Sequence, residues 1–204
     1  MAFAFSLVFL ATSIIFPAYS APSSYAQFLD SFNIYQKWIR GKDCDIYTGE
    51  HHNQPHSFSN VTYCSLFVAH IARHLNIYLP APPFYKRYFL ATRQCRWLFE
   101  QGKMRGWKKV SFIQAQDYAN EGYFTLACSL NDQPNKPGHI AVVRPAFKLP
   151  FKLLIEGPQI LNVGWYNNSS ISAKEGFKKQ KDPFKRDKSI YYFTYLKELK
   201  NYLK

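Results

Sequence analysis

Acidic side chains are scarce: the chain of 204 residues has 13 Asp and Glu against 26 Lys and Arg, a formal charge of +13. Such a surface seeks polyanions, whether nucleic acid, anionic lipid or the acidic polymers of a cell wall. No aromatic RNP segment accompanies the charge, so nucleic acid is not an expected partner. Cysteine is sparse too. The four present (Cys44, Cys64, Cys95, Cys128) make no CxxC pair, which excludes a zinc ribbon. No internal repeat or low-complexity tract follows the first segment, and 47% hydrophobic residues exclude a disordered chain. A long apolar run occurs only at residues 2–17, and it is short for a bilayer span.

That run, AFAFSLVFLATSIIFP, precedes the small residues Ala18, Ser20 and Ala21. It predicts a signal peptide or N-terminal anchor at 1–20, although no Lys or Arg stands before it. A single domain is expected over 21–204. Export would place the protein in the periplasm, in the cell wall or outside the cell. There, Cys95 and Cys128 are the favoured disulfide pair because both sit among apolar residues, reduced core thiols being the other reading.

Apolar spacing predicts helices over 25–40, from Asn60 or Thr62 toward Pro80, over 84–101, and over 111–120 with a stop at Gly122. Strand-like runs follow at 123–129, 139–144, 151–155, 159–163 and 189–194. The turn-rich NDQPNKPG predicts a hairpin between the first two. Helices first and strands later is the pattern of an α+β domain with an antiparallel sheet.

Cys64 falls in the first turn of the second predicted helix. There, unpaired N–H groups and the helix dipole favour thiolate and could receive an oxyanion. His139 opens a strand directly after Pro137-Gly138, a rigid place for a base. By themselves these are a core cysteine and a strand-edge histidine.

A resemblance joins them. The segment YCSLFVAHIARHLNIYLP resembles the cysteine-helix block of the NlpC/P60 and CHAP peptidoglycan hydrolases, and KPGHIAVVRP resembles their histidine strand. The intervening Trp107, Ala115-Gln116 and Ala119-Asn120-Glu121-Gly122 are similar to some members, so the likeness covers about 58–170. Many members have Asp before the cysteine and Gly two after it; here these are Tyr63 and Leu66. The resemblance implies a papain-like fold with the cysteine helix packed on an antiparallel sheet. It also implies a catalytic Cys64 nucleophile, a His139 base and a third, orienting residue on the next strand. Asn162 is the choice for that third residue, with Gln159 and Asn167 as rivals and a simple turn role as the bland reading of Asn162.

The activity so implied is thioester-forming hydrolysis of an amide bond in peptidoglycan peptide, with no metal or organic cofactor. The expected partner is peptidoglycan or another anionic envelope polymer, and the basic C-terminal region offers a membrane-surface contact. The rival reading is a non-catalytic basic module that binds envelope polymer. An antibacterial amidase toxin, with an immunity or inhibitor partner, is the third. His51, His52 and His56 near Asp43, Asp45 and Glu50 lack any established zinc spacing, and His70 and His74 lie one turn apart.

Overall fold

The computed structural model describes residues 24–42, 44–45, 47–50, 62–85, 89–131, 137–178 and 190–197. The leader, His51, His52, His56, Asp43 and most of the late lysine cluster therefore lie outside the described residues. Six strands form one antiparallel sheet: β1 (Trp107–Val110), β2 (Thr125–Ser129), β3 (His139–Val143), β4 (Gln159–Asn162), β5 (Asn168–Ser172) and β6 (Tyr191–Tyr195). Their spatial order is β1-β6-β2-β3-β4-β5. The helices are α1 (Ser24–Asp30), α2 (Cys64–His74), α3 (Leu90–Glu100), α4 (Phe112–Asn120), α5 (Pro150–Glu156) and α6 (Ala173–Gly176), with a 3₁₀ turn at Gly102–Arg105. The architecture is thus mixed α+β, and none of the described helices is long and apolar enough to cross a membrane.

Both faces of the sheet are covered, which explains why every residue of β2 and β3 is buried. Leu126, Cys128, Ile140 and Val142 point into the larger core with α1, α2 and α3. The alternate residues Ala127, Ala141 and Val143 face a smaller core with Ala115 and Ala119 of α4 and Ala173 and Phe177 near α6. In α2, Cys64 to Ala72 are all buried, as in a helix with neighbours on every side. It ends where Asn76 takes a left-handed conformation (φ 53°) and the Ile77 N–H reaches the Ala72 carbonyl.

Two buried polar ties close the layers. Arg144 donates to both carboxylate oxygens of Asp30 (2.8 and 3.1 Å) and to the Ser169 carbonyl, linking α1 to both ends of the β3–β5 region. Gln116 donates to the Arg144 carbonyl (3.0 Å) and accepts from the Gln159 N–H (2.8 Å), so α4 is fixed to β3 and β4. Asn120 accepts from the Ala146 N–H (2.8 Å). The Ala-Gln and Ala-Asn segments therefore have a structural purpose here.

Local chemistry accounts for the clearest element: Ser111 and Gln114 form a complete capping box at the start of α4. Several expectations need correction. The helix expected over 25–40 ends at Asp30, and the one over 84–101 begins only at Leu90. α2 is preceded by Tyr63 with no side-chain cap, instead of being capped by Thr62, and Asn60 lies outside the described residues. The apolar run 151–155 is helix α5, not a strand, because Pro150 takes the first helical position. β1 and the polar edge strand β5 carry no apolar alternation and were not expected.

Candidate functional site

Packing of α2 on β3 brings the sequence-singled residues into one region. β2 and β3 pair so that Ser129 faces His139 and Cys128 faces Ile140. Gly138, just before the histidine, donates to Thr92 Oγ1 (2.8 Å), and a Cβ there would fall 2.3 Å from the Ser129 carbonyl oxygen. Only glycine permits that approach.

His139 Nε2 lies 2.8 Å from Asn162 Oδ1. The Asn162 amide nitrogen donates to the Tyr166 carbonyl (2.7 Å), which fixes the amide's orientation. The His139 proton is accordingly on Nε2. Phe177 meets the imidazole edge-on, and Gly164 packs against its Cε1. Burial pushes the His139 pKa down, with the Asn162 hydrogen bond acting the other way. Of the rivals, Gln159 bonds Ser170, and Asn167 donates to the Ile34 carbonyl (2.6 Å), tying down the segment after α1.

The expected cysteine hydrolase is corrected at the thiols. Cys95 and Cys128, the latter facing the residue after His139, form a disulfide. Cys44 and Cys64 are buried thiols outside that bridge. Burial pushes the Cys64 thiol up. The backbone at Ile140, Ser65 and Cys64 itself and the Thr62 hydroxyl act the other way. A nucleophilic cysteine needs a thiolate, stabilised by a cation or helix start strongly enough to outweigh desolvation. Here the thiol and the imidazole both lie in the interior, where burial disfavours the charged form of each. The amidase, thiol-protease and amidase-toxin readings fall with it. Among the described residues no group of three or more His, Cys, Asp or Glu could hold a metal ion. His70 and His74 stack edge to face, with ring centroids 4.3 Å apart. Asp45 closes a turn by accepting from the Tyr47 and Thr48 N–H groups.

The His139–Asn162 pair acts as a buried structural clamp between β3 and β4. Asn162→Leu should lower stability by about 2 kcal/mol, because an imidazole N–H loses its acceptor in the interior. Urea denaturation of the variant beside wild type measures it.

A second region was not singled out from sequence. From Phe89 to Val110 the chain has six basic residues and one acid, Glu100. Arg93, Arg96, Lys103, Arg105, Lys108 and Lys109 are all exposed, on α3, the 3₁₀ turn and edge strand β1. None of the six pairs with a carboxylate among the described residues. Aromatics lie between them: Lys109 sits over the Phe99 and Tyr191 rings (4.9 and 5.1 Å), and Arg105 over Tyr78 (5.6 Å). The run of cations is legible in the sequence, but the rings of Tyr78 and Tyr191 come to it from distant segments.

Fold and site together define an α+β protein with a buried His139–Asn162 pair, a buried Cys64 thiol, a structural disulfide and a cationic-aromatic edge. The disulfide fits an oxidising, non-cytoplasmic environment. No protein-family model matches the chain. No curated protein matches it either.

Proposed function

We propose that this chain is a non-catalytic binding module, built on a papain-like scaffold, that holds an anionic envelope polymer on the edge formed by α3, the 3₁₀ turn and β1. The cation–aromatic surface of that edge is the observation that carries the reading. Unpaired guanidinium and ammonium groups attract a polyanion at long range, while Tyr78, Phe99 and Tyr191 supply flat apolar contact. The papain-like part of the reading is supported by the order of the cysteine helix and histidine strand and by their packing. The non-catalytic part is supported by the burial of the Cys64 thiol, which pushes its pKa up and disfavours the thiolate. Periplasm, cell wall or extracellular space is the proposed setting, consistent with the disulfide.

The test is co-sedimentation with purified bacterial sacculi, before and after their anionic polymers are chemically stripped. Arg96→Glu/Lys103→Glu/Lys109→Glu reverses three exposed charges and should weaken binding to intact sacculi by about tenfold or more. Raising salt from roughly 50 to 500 mM should release the wild type, because exposed charges are then screened within about 5 Å. Cys64→Ala, if folded, should bind as wild type does. Binding that ignores salt and charge reversal, or is equal on stripped sacculi, would overturn the proposal.

A further inference from the structure

The connection between β3 and β4 carries an exposed apolar surface that no role described so far uses. Phe147 is 80% exposed, Phe151 55%, Leu154 62% and Ile155 58%, with Leu149 also exposed. Phe151, Leu154 and Ile155 stand at i, i+3 and i+4 of α5, the spacing that normally marks the buried face of a helix. Here only Leu153 turns inward.

The tip is built to hold this shape. Pro150 starts the helix, and the Gly157 N–H closes it on the Leu153 carbonyl (2.9 Å). Lys148 folds back over its C-terminus, donating to the Gly157 carbonyl (2.8 Å) and pairing with Glu156 (3.1 Å). The largest side chains are thus presented outward on a supported turn, at a cost in exposed apolar area that soluble surfaces ordinarily avoid.

Charge indicates what covers it. Between residues 144 and 178 there are five basic side chains and two acidic ones. Both acids are paired, Glu156 with Lys148 and Glu175 with Lys178, and of the basic side chains Arg144 is likewise held, by Asp30. Lys152, exposed within the apolar run, pairs with no carboxylate among the described residues. Large apolar side chains with an interspersed lysine, on a strongly basic protein, match an interface of acyl chains and anionic headgroups.

We infer that α5 and the loop before it form a membrane-docking tip, with Phe147, Phe151, Leu154 and Ile155 entering the headgroup–acyl boundary of an anionic lipid bilayer and Lys152 meeting its headgroups. The inference goes beyond the polymer reading and does not rest on it.

Flotation of the whole protein with phosphatidylcholine vesicles, with and without phosphatidylglycerol, tests it. Wild type should float with the anionic vesicles and much less with the neutral ones. Phe151→Ser/Leu154→Ser leaves the charge unchanged and should cut partitioning about tenfold or more, since two large apolar side chains no longer insert. Phe147→Ser, at the most exposed position, should give a smaller loss and guards against a folding defect in the double variant; circular dichroism checks both. Equal flotation of wild type and both variants would mean attachment by charge alone and overturn the inference. So would absence of wild-type flotation. A concentration-dependent dimer abolished by Phe151→Ser/Leu154→Ser, without vesicle binding, would make the tip a protein interface and overturn it as well.

Discussion

Cys95→Ala/Cys128→Ala is expected to lower the stability of the oxidised protein by about 3 to 4 kcal/mol, the chain-entropy value for a closed loop of this size. The bridge joins the middle of α3 to β2 across a sequence separation of 33, and both cysteines are fully buried. Without it the unfolded chain gains the freedom of that whole loop, and α3 keeps its apolar contacts with the sheet, the Gly138–Thr92 hydrogen bond and the bonds from Gln94 to the Ser65 and Pro80 carbonyls. Wild type in reducing agent should unfold at nearly the denaturant midpoint of the double variant, because the constraint on the unfolded state is the same. A loss below about 1 kcal/mol would show that the packing of Leu90, Trp97 and Leu98, with the Thr92 and Gln94 hydrogen bonds, holds α3 in place without the bridge. The consequence reaches the binding edge: Arg93, Arg96 and Phe99 are carried by α3, so reduction should also weaken sacculus binding.

Acidification supplies the second large effect. Burial, then the neighbouring charges of His74, Lys37 and Arg73, hold the His70 pKa down to about 4, against a hydrogen bond to the backbone at Tyr47. The ring lies among Phe32, Trp38 and His74. In the unfolded chain the same imidazole titrates near 6.5. Between those values the unfolded state binds the proton and the folded state does not, so stability is full above pH 6.5 and falls as pH drops toward 4. His139, also pushed down by burial, acts in the same direction. After discounting solvent screening near the surface, His70 should account for about 2 kcal/mol of the loss. His70→Gln should flatten the dependence of the urea midpoint on pH in that window. Variant and wild type must be compared at each pH, since ion pairs elsewhere in the fold also respond to acid. Parallel profiles would place the acid sensitivity in those ion pairs and not in the imidazole.

Where local chemistry was decisive, the chain could be read directly. Ser111 with Gln114 sets the start of α4, and the turn-rich segment 130–138 joins β2 to β3 as a hairpin. The apolar surroundings of Cys95 and Cys128 pointed to their bridge. Where the environment decided, periodicity misled. Phe151–Ile155 reads as a buried strand because apolar runs usually are interior; the structure makes it helix and leaves its largest side chains in solvent. β5, NSSIS, has almost no apolar content, and its strand form comes from pairing with β4, which no local pattern records.

Composition and order by themselves determined a strongly basic, foldable chain of mixed helices and strands, with a cysteine at a helix start and a histidine at a strand start. Whether that cysteine could react was decided only by the tertiary structure. Ionisation depends on how much water and which charges surround a thiol, and these follow from the packing of α2 between the sheet and the N-terminal segment. The same packing enclosed Cys64, removed Cys128 into a disulfide and gave the His139 proton to Asn162. It also gathered cations from α3, the 3₁₀ turn and β1 onto one edge. Those residues are near one another in sequence, but only the folded chain sets aromatic rings between them.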